Sequence, residues 1–203
     1  VAAEGQGSVQ NGVQYLNNSP LVDITGGFTR GLQASGTGKL ALDLLIPLHD
    51  VNTTKVKGSY TVSNGSISSA DVPELTRING KLEFTETQFR GQNLGTWVYG
   101  GPAQVSLMSA KDGSVRIAAR GRVSDNGLRT GLGTAYLDRV FGSTDWNGDI
   151  NVSKNGVDFS IRSSLVGMAS SLPYPLNKAG DESIPLKVEK KQSPGSRPED
   201  TSV

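Results

Sequence analysis

The chain has 203 residues, of which 35% are hydrophobic and 19% charged, with 26 glycines, 9 prolines and a net charge of +1. It is too apolar for a disordered chain and too glycine-rich for a helical bundle. A charge that small, scattered rather than striped, leaves no electrostatic footprint for nucleic acid. The absence of cysteine removes disulfide frameworks, thiolate metal sites and cysteine nucleophiles together, and is compatible with both the cytosol and an oxidising periplasm.

Residues 1–10 lack the basic segment and apolar stretch of an export signal. No window approaches the roughly 18 to 20 consecutive apolar residues of a membrane-spanning helix. With an abrupt start at Val1, the expectation is a piece of a longer protein. The dominant pattern from there on is period-two alternation, the mark of a strand with one apolar face. Leu40, Leu42, Leu44 and Ile46 share a face, opposed by Lys39, Ala41, Asp43 and Leu45. The pattern returns at Tyr60 and Val62, Leu82 and Phe84, Val105 and Leu107, then Val115, Ile117 and Ala119. It continues at Ile150 and Val152, at Val157, Phe159 and Ile161, and at Ile184, Leu186 and Val188.

Turn residues separate these runs and predict hairpins. A two-residue loop at Asn155-Gly156 sets Val152 opposite Phe159 and Ile150 opposite Ile161. A similar loop at Asn64-Gly65 sets Val62 against Ile67. At Asp112-Gly113 a two-residue loop would face Leu107 with Ala118, so a three-residue loop is expected, Lys111 to Gly113 with Gly113 left-handed, which faces Leu107 with Ile117.

Helical text is scarce. Leu128, Leu132, Tyr136, Leu137 and Val140 approximate helical spacing between Asp125 and Phe141, but Gly127, Gly131 and Gly133 weaken it. The expected helix is short, from Gly133 to Phe141, ended by Gly142. A second weak helical segment runs from Leu165 to Leu172, stopped by Pro173 and Pro175. Residues 190–203 have no periodicity and read as a disordered tail or linker. The fold class expected is all-β and mostly antiparallel: a single module over residues 1–189, one long curled sheet or half-pipe trough with one or two short helices.

Candidate sites for chemistry are few. His49 is the only histidine and sits in a strand-end turn, with no Gly-x-Ser-x-Gly elbow for a triad and no partners for zinc. Gly36-Thr37-Gly38-Lys39 lacks the glycine and hydroxyl of a phosphate loop and leads into a strand rather than a helix. Asp145, Asn147 and Asp149 alternate like calcium ligands, but the glycine is misplaced and position 154 is Lys; a polar turn entering a strand is the better reading. Asp43, Glu83 and Glu86 read as the wet face of a sheet rather than a glycosidase pair. Trp97 and Tyr99 are expected to be buried. No cofactor and no metal are expected. The repeated aliphatic face is the one feature both periodic and chemically specific.

From about residue 38 to 189 the chain resembles the C-terminal part of YhdP-type proteins in the AsmA-like family. The stretches that carry the resemblance are GKLALDLLIPL (38–48), TKVKGSYTVSNGSIS (54–68), PELTRINGKLEFTETQFRGQNLG (73–95) and GGPAQVSL (100–107). ARGRVS (119–124), LDRVFGSTDWNGDINV (137–152) and LPYPLNKAGDESIPLKVE (172–189) extend it. The resemblance implies a periplasmic segment of a large Gram-negative envelope protein, anchored in the inner membrane by parts outside this chain, whose β-groove moves phospholipid towards the outer membrane.

Composition and resemblance together give one functional expectation: a non-enzymatic lipid-conduit segment whose partner is phospholipid. Its lipid-binding floor comprises Leu40, Leu42, Leu44, Val62, Leu82, Phe84, Val105, Leu107, Ile117, Val152, Phe159 and Ile161. An alternative is an interaction module in which two sheets close as a sandwich. A carbohydrate-binding or carbohydrate-active domain using Trp97 or Trp146 is a second.

Overall fold

The structure is a computed structural model that describes residues 2–18, 28–45, 47, 55–69, 73–110, 112–153 and 156–191. Ile46, His49, Lys111, Lys154, Asn155 and the expected tail from residue 192 lie outside the described residues. The strands are β1 (Ala2–Ser8), β2 (Gln33–Leu45), β3 (Lys55–Ser68), β4 (Leu75–Thr85), β5 (Phe89–Val98) and β6 (Gly101–Ser109). They continue as β7 (Val115–Ser124), β8 (Val140–Ser153), β9 (Gly156–Ser163), β10 (Met168–Ser170) and β11 (Leu186–Lys190). All pair antiparallel in the order β1-β2-β3-β4-β5-β6-β7-β8-β9-β11, while β10 pairs with the start of β8. The result is one open sheet wound as an up-and-down meander, as the alternation predicts.

The meander gives the sheet two unlike rims. One carries the connection at 86–88, the adjoining ends of β6 and β7 and of β8 and β9, and the end of β11, and is called the hairpin-tip rim below. The other, the helix rim, carries α1 (Val9–Asn17), α2 (Asp125–Leu132), 3-10 helices at Phe28–Gly31 and Ala135–Arg139, and β10.

The three-residue β6–β7 loop is as expected: Leu107 faces Ile117 and Gly113 has φ +79°. The other two turn expectations are corrected. In β8–β9, Val152 faces Val157 and Ile150 faces Phe159, a slip of two residues that preserves the face because side chains alternate with period two. Asn64-Gly65 is no turn at all. It lies inside β3, where Asn64 has φ +48° and pairing jumps from Val62–Gly80 to Gly65–Ile78, which is a β-bulge.

That bulge has neighbours. Gly36 (φ +98°) on β2 faces it, Arg77 (φ +52°) lies beside it on β4, and Asn93 (φ +52°) marks the register jump between β4, β5 and β6. The Asn79 side chain ties two of them together: its Oδ1 accepts from the Asn64 N–H (2.9 Å) and its Nδ2 donates to the Arg77 carbonyl (2.8 Å). A bulge bends its strand. Four in line bend β2 to β5 at one level, forming a crease parallel to the helix rim.

The helices also differ from expectation. Ser124 caps α2 by accepting from the Gly127 N–H (3.1 Å), and Gly133 ends it in the left-handed region (φ +62°). The helix therefore lies upstream of the expected 133–141 segment, whose residues form the second 3-10 helix and enter β8. Residues 165–172 form a turn and β10, not a helix. The unexpected α1 is capped by Ser8, whose hydroxyl accepts from the Asn11 N–H (3.2 Å). It lies along β2 beyond the end of β1, and its Gln10 accepts from the Ala34 N–H (2.7 Å).

Candidate functional site

Directly opposed residues in an antiparallel pair point to the same side of the sheet, so the register defines the faces. One row crosses nine strands: Gly5, Leu40, Tyr60, Leu82, Gly91, Leu107, Ile117, Ile150 and Phe159. A second contains Ala3, Leu42, Gly58, Phe84 and Phe89 and resumes as Val115, Val152 and Val157. A third contains Val62 and Gly80, then Leu94, Val105, Ala119, Gly148, Ile161 and Val188. Leu44 continues the face opposite Val56. All twelve residues expected on the floor therefore fall on one face.

The rows run across the strands, not along them. Strands lie about 4.8 Å apart, so a row spanning ten strands is about 45 Å long, longer than the roughly 30 Å hydrocarbon thickness of a bilayer. Glycines keep this face smooth. A side chain at Gly58 would overlap the Phe84 ring, and one at Gly38 would overlap the Tyr60 ring. At these two positions a large neighbour from the next strand lies over the vacant site.

The floor is half-buried rather than sealed. Eleven of the twelve residues keep partial solvent access, and only Val152, at 3%, is fully covered. The missed members include Tyr60, Phe89, Leu94, Val115 and Ile150. Tyr60, Val115 and Ile150 carried the alternation signal. Phe89 and Leu94 did not, because the bulge at Asn93 places residues 91 and 94 on the same side. Burial raises the Tyr60 hydroxyl pKa above its ordinary value, and that hydroxyl donates to the Ser8 carbonyl beneath α1 (3.4 Å).

The opposite face is polar. The Arg90 guanidinium donates twice to Glu83 (3.2 and 3.0 Å), and Arg120 donates twice to Gln104 (3.1 and 2.8 Å). Arg162 pairs with Asp149 at 3.4 Å and Lys39 with Glu4 at 3.0 Å. The hydrogen bond and charge of Arg90 hold the Glu83 carboxyl below its usual range. Exposed pairs such as these are screened by water and contribute little to stability, so their weight lies in keeping this face wet. Asp145, Asn147 and Asp149 lie within β8 on this face, not in a turn before it. Trp97 is not buried: it is 36% exposed, faces Pro102 on the polar side, and carries the Arg77 guanidinium 4.4 Å from its ring centre.

Two open depressions flank the hairpin-tip rim. One, of about 820 Å³, draws on Leu107, Ile117, Ile150 and Phe159 of the floor and on Arg90 and Arg116 of the opposite face. The other, of about 620 Å³, is lined by Leu44, Leu45, Val56, Lys57 and Glu86 among others. Among the described residues no group of three or more acidic, histidine or cysteine side chains is placed to hold a metal ion, and no helix is long and apolar enough to cross a membrane.

Fold and site together define a class: an open antiparallel meander with one wet face and one continuous, accessible aliphatic face. A family model described as YhdP protein matches residues 1–201, and the chain belongs to that family. Membership groups it with AsmA-like envelope proteins. Comparison with curated proteins and with solved structures found no match.

Proposed function

We propose that this module is a non-enzymatic segment of a lipid conduit, carrying phospholipid acyl chains on its apolar face through the periplasm between the inner and outer membranes. The observation that supports it most is a floor that is continuous across the strands yet left half-open to solvent. A face of that extent on a soluble sheet must meet a second layer or an apolar guest, and the described strands belong to one sheet rather than to a facing pair. Burying a CH₂ contributes about 0.8 kcal/mol, so full enclosure of two acyl chains would hold a lipid in place. A half-open floor grips less and permits sliding. Its lining offers aliphatic contact without a fixed polar anchor.

Native mass spectrometry of protein purified without detergent tests this reading. Co-purified phospholipid is expected, and Leu42→Asp is expected to lose it while the fold is retained. Folded Leu42→Asp protein that carried lipid as well as the unaltered chain would overturn the floor assignment. Sugar-dependent stabilisation in its place, lost in Trp97→Ala, would favour a carbohydrate-binding module.

A further inference from the structure

The two rims of the sheet are not equivalent. At the helix rim the apolar face is closed. Leu94, Thr96, Val98 and Ala103, which continue the floor in that direction, are only 5–8% exposed, and Thr144 on β8 is 3% exposed. The elements that follow the strands lie along the same rim. α2 packs on the Tyr99-Gly100 turn so tightly that a side chain at Gly127 would meet the Tyr99 backbone. Arg129 of that helix donates to the carbonyls of Leu137 (3.2 Å) and Val140 (2.9 Å). β10 adds Met168, 7% exposed, and α1 adds Val9 and Val13, 4% and 7% exposed. The crease in β2 to β5 bends the strands on this same side.

At the hairpin-tip rim the floor remains reachable. Both depressions open there: Lys55 and Lys57 stand exposed with Asp43 and Glu86 around one, and Lys190 and Lys191 with Asp112 and Glu189 around the other. Val115 and Val152 near this rim are buried, in a row they share with Ser109 and Val157, while Leu44, Phe84 and Phe159 on the same side keep partial solvent access. The outer surface of the helix rim is of the opposite character: Tyr136, Tyr174 and Leu176 are 76%, 90% and 64% exposed.

From these asymmetries we infer that the groove is one-sided: a bound phospholipid points its tails towards the helix rim and hangs its head group over the hairpin-tip rim, and it travels across the strands in that fixed orientation. A hydrocarbon tail gains nothing from a rim already filled by the chain's own side chains. A charged or hydrogen-bonding head group loses its hydration unless it stays at the rim that is open and carries ions of both signs. The inference rests on the lipid reading above and fixes the orientation which that reading leaves open.

Two photoreactive phosphatidylethanolamines test it, one with a diazirine in the acyl chain and one with a diazirine on the head-group amine, each loaded on the full chain and the adducts mapped by mass spectrometry. The tail probe is expected to label the row containing Leu107, Ile117 and Phe159 and to spare Val98 and Ala103. The head-group probe is expected to label residues 86–88, 110–114 and 190–191. Head-group adducts on residues 125–139 or 168–178, or tail adducts at Val98, would overturn the one-sided orientation and leave the conduit reading standing. Absence of any tail adduct on the floor would remove the conduit reading itself, and the orientation with it.

Discussion

Lys178 has no carboxylate within ion-pair distance among the described residues. It is 9% exposed, and its Nζ donates to the carbonyls of Met168 and Ala179, both at 2.8 Å. These two bonds close the 168–180 segment on itself, bracing the three-residue strand that pairs with the start of β8. Removing one partner of a buried hydrogen bond costs about 1–3 kcal/mol, so Lys178→Met is expected to lower the unfolding free energy measured in urea by that amount; an unchanged value would show that the segment holds without it. Asp125 is a second such anchor. The Asn126 N–H (2.7 Å) is the chief cause of its depressed carboxyl pKa, with the Gly142 N–H and Arg129 (3.1 Å) adding to it against the opposing effect of burial. Because its folded pKa lies below the unfolded one, its contribution is fully present above the unfolded value and is lost as pH falls through the folded value. Stability should therefore decline on acidification below the ordinary aspartate range, and Asp125→Asn should flatten that part of the profile. Equal slopes in the two proteins would assign the acid loss elsewhere.

Among the elements, the crease rests on the Asn79 side chain, which satisfies the Asn64 N–H and the Arg77 carbonyl that the bulges release from the ladder. Asn79→Ala is expected to cost about 0.5–1.5 kcal/mol and to speed amide hydrogen exchange at residues 63–65 and 76–79 while β7 to β9 are unaffected. Uniform change across the sheet would show that the crease is not a local unit. The same elements explain what was legible from residues alone. Alternation identified β2 to β4, β6 to β9 and β11 and the face of each expected floor residue, even where the β8–β9 register was off by two, since face survives an even slip; it did not identify β1, β5 or β10. It did not distinguish a turn from a bulge at Asn64-Gly65, because both use a residue that tolerates the left-handed region. Nor did it find α2. Gly127 and Gly131 argued against a helix by propensity, yet they are the positions where any side chain would collide with Tyr99. Close packing outweighed the roughly 1 kcal/mol propensity cost of each glycine.

On the scale of the whole molecule, an open sheet with one face half-exposed carries little conventional core: nine hydrophobic residues are buried among those described, and none of the large side chains is fully enclosed. Lipid on the floor should then act as a missing layer. Delipidated protein is expected to melt at a lower temperature than protein with phospholipid restored, whereas Leu42→Asp should show the lower value in both conditions; identical melting with and without lipid would contradict that role. Trp146 belongs to this picture, since its indole N–H is buried with no acceptor among the described residues. The meander has a further consequence. Each strand supplies one rung, and neighbouring rungs run in opposite directions, so the molecule's reach is counted in hairpins. Splicing in one more pair of strands would lengthen the path by about 10 Å with every greasy position still on the same side and both borders unchanged, whereas an odd strand would swap the borders downstream and turn the cargo around.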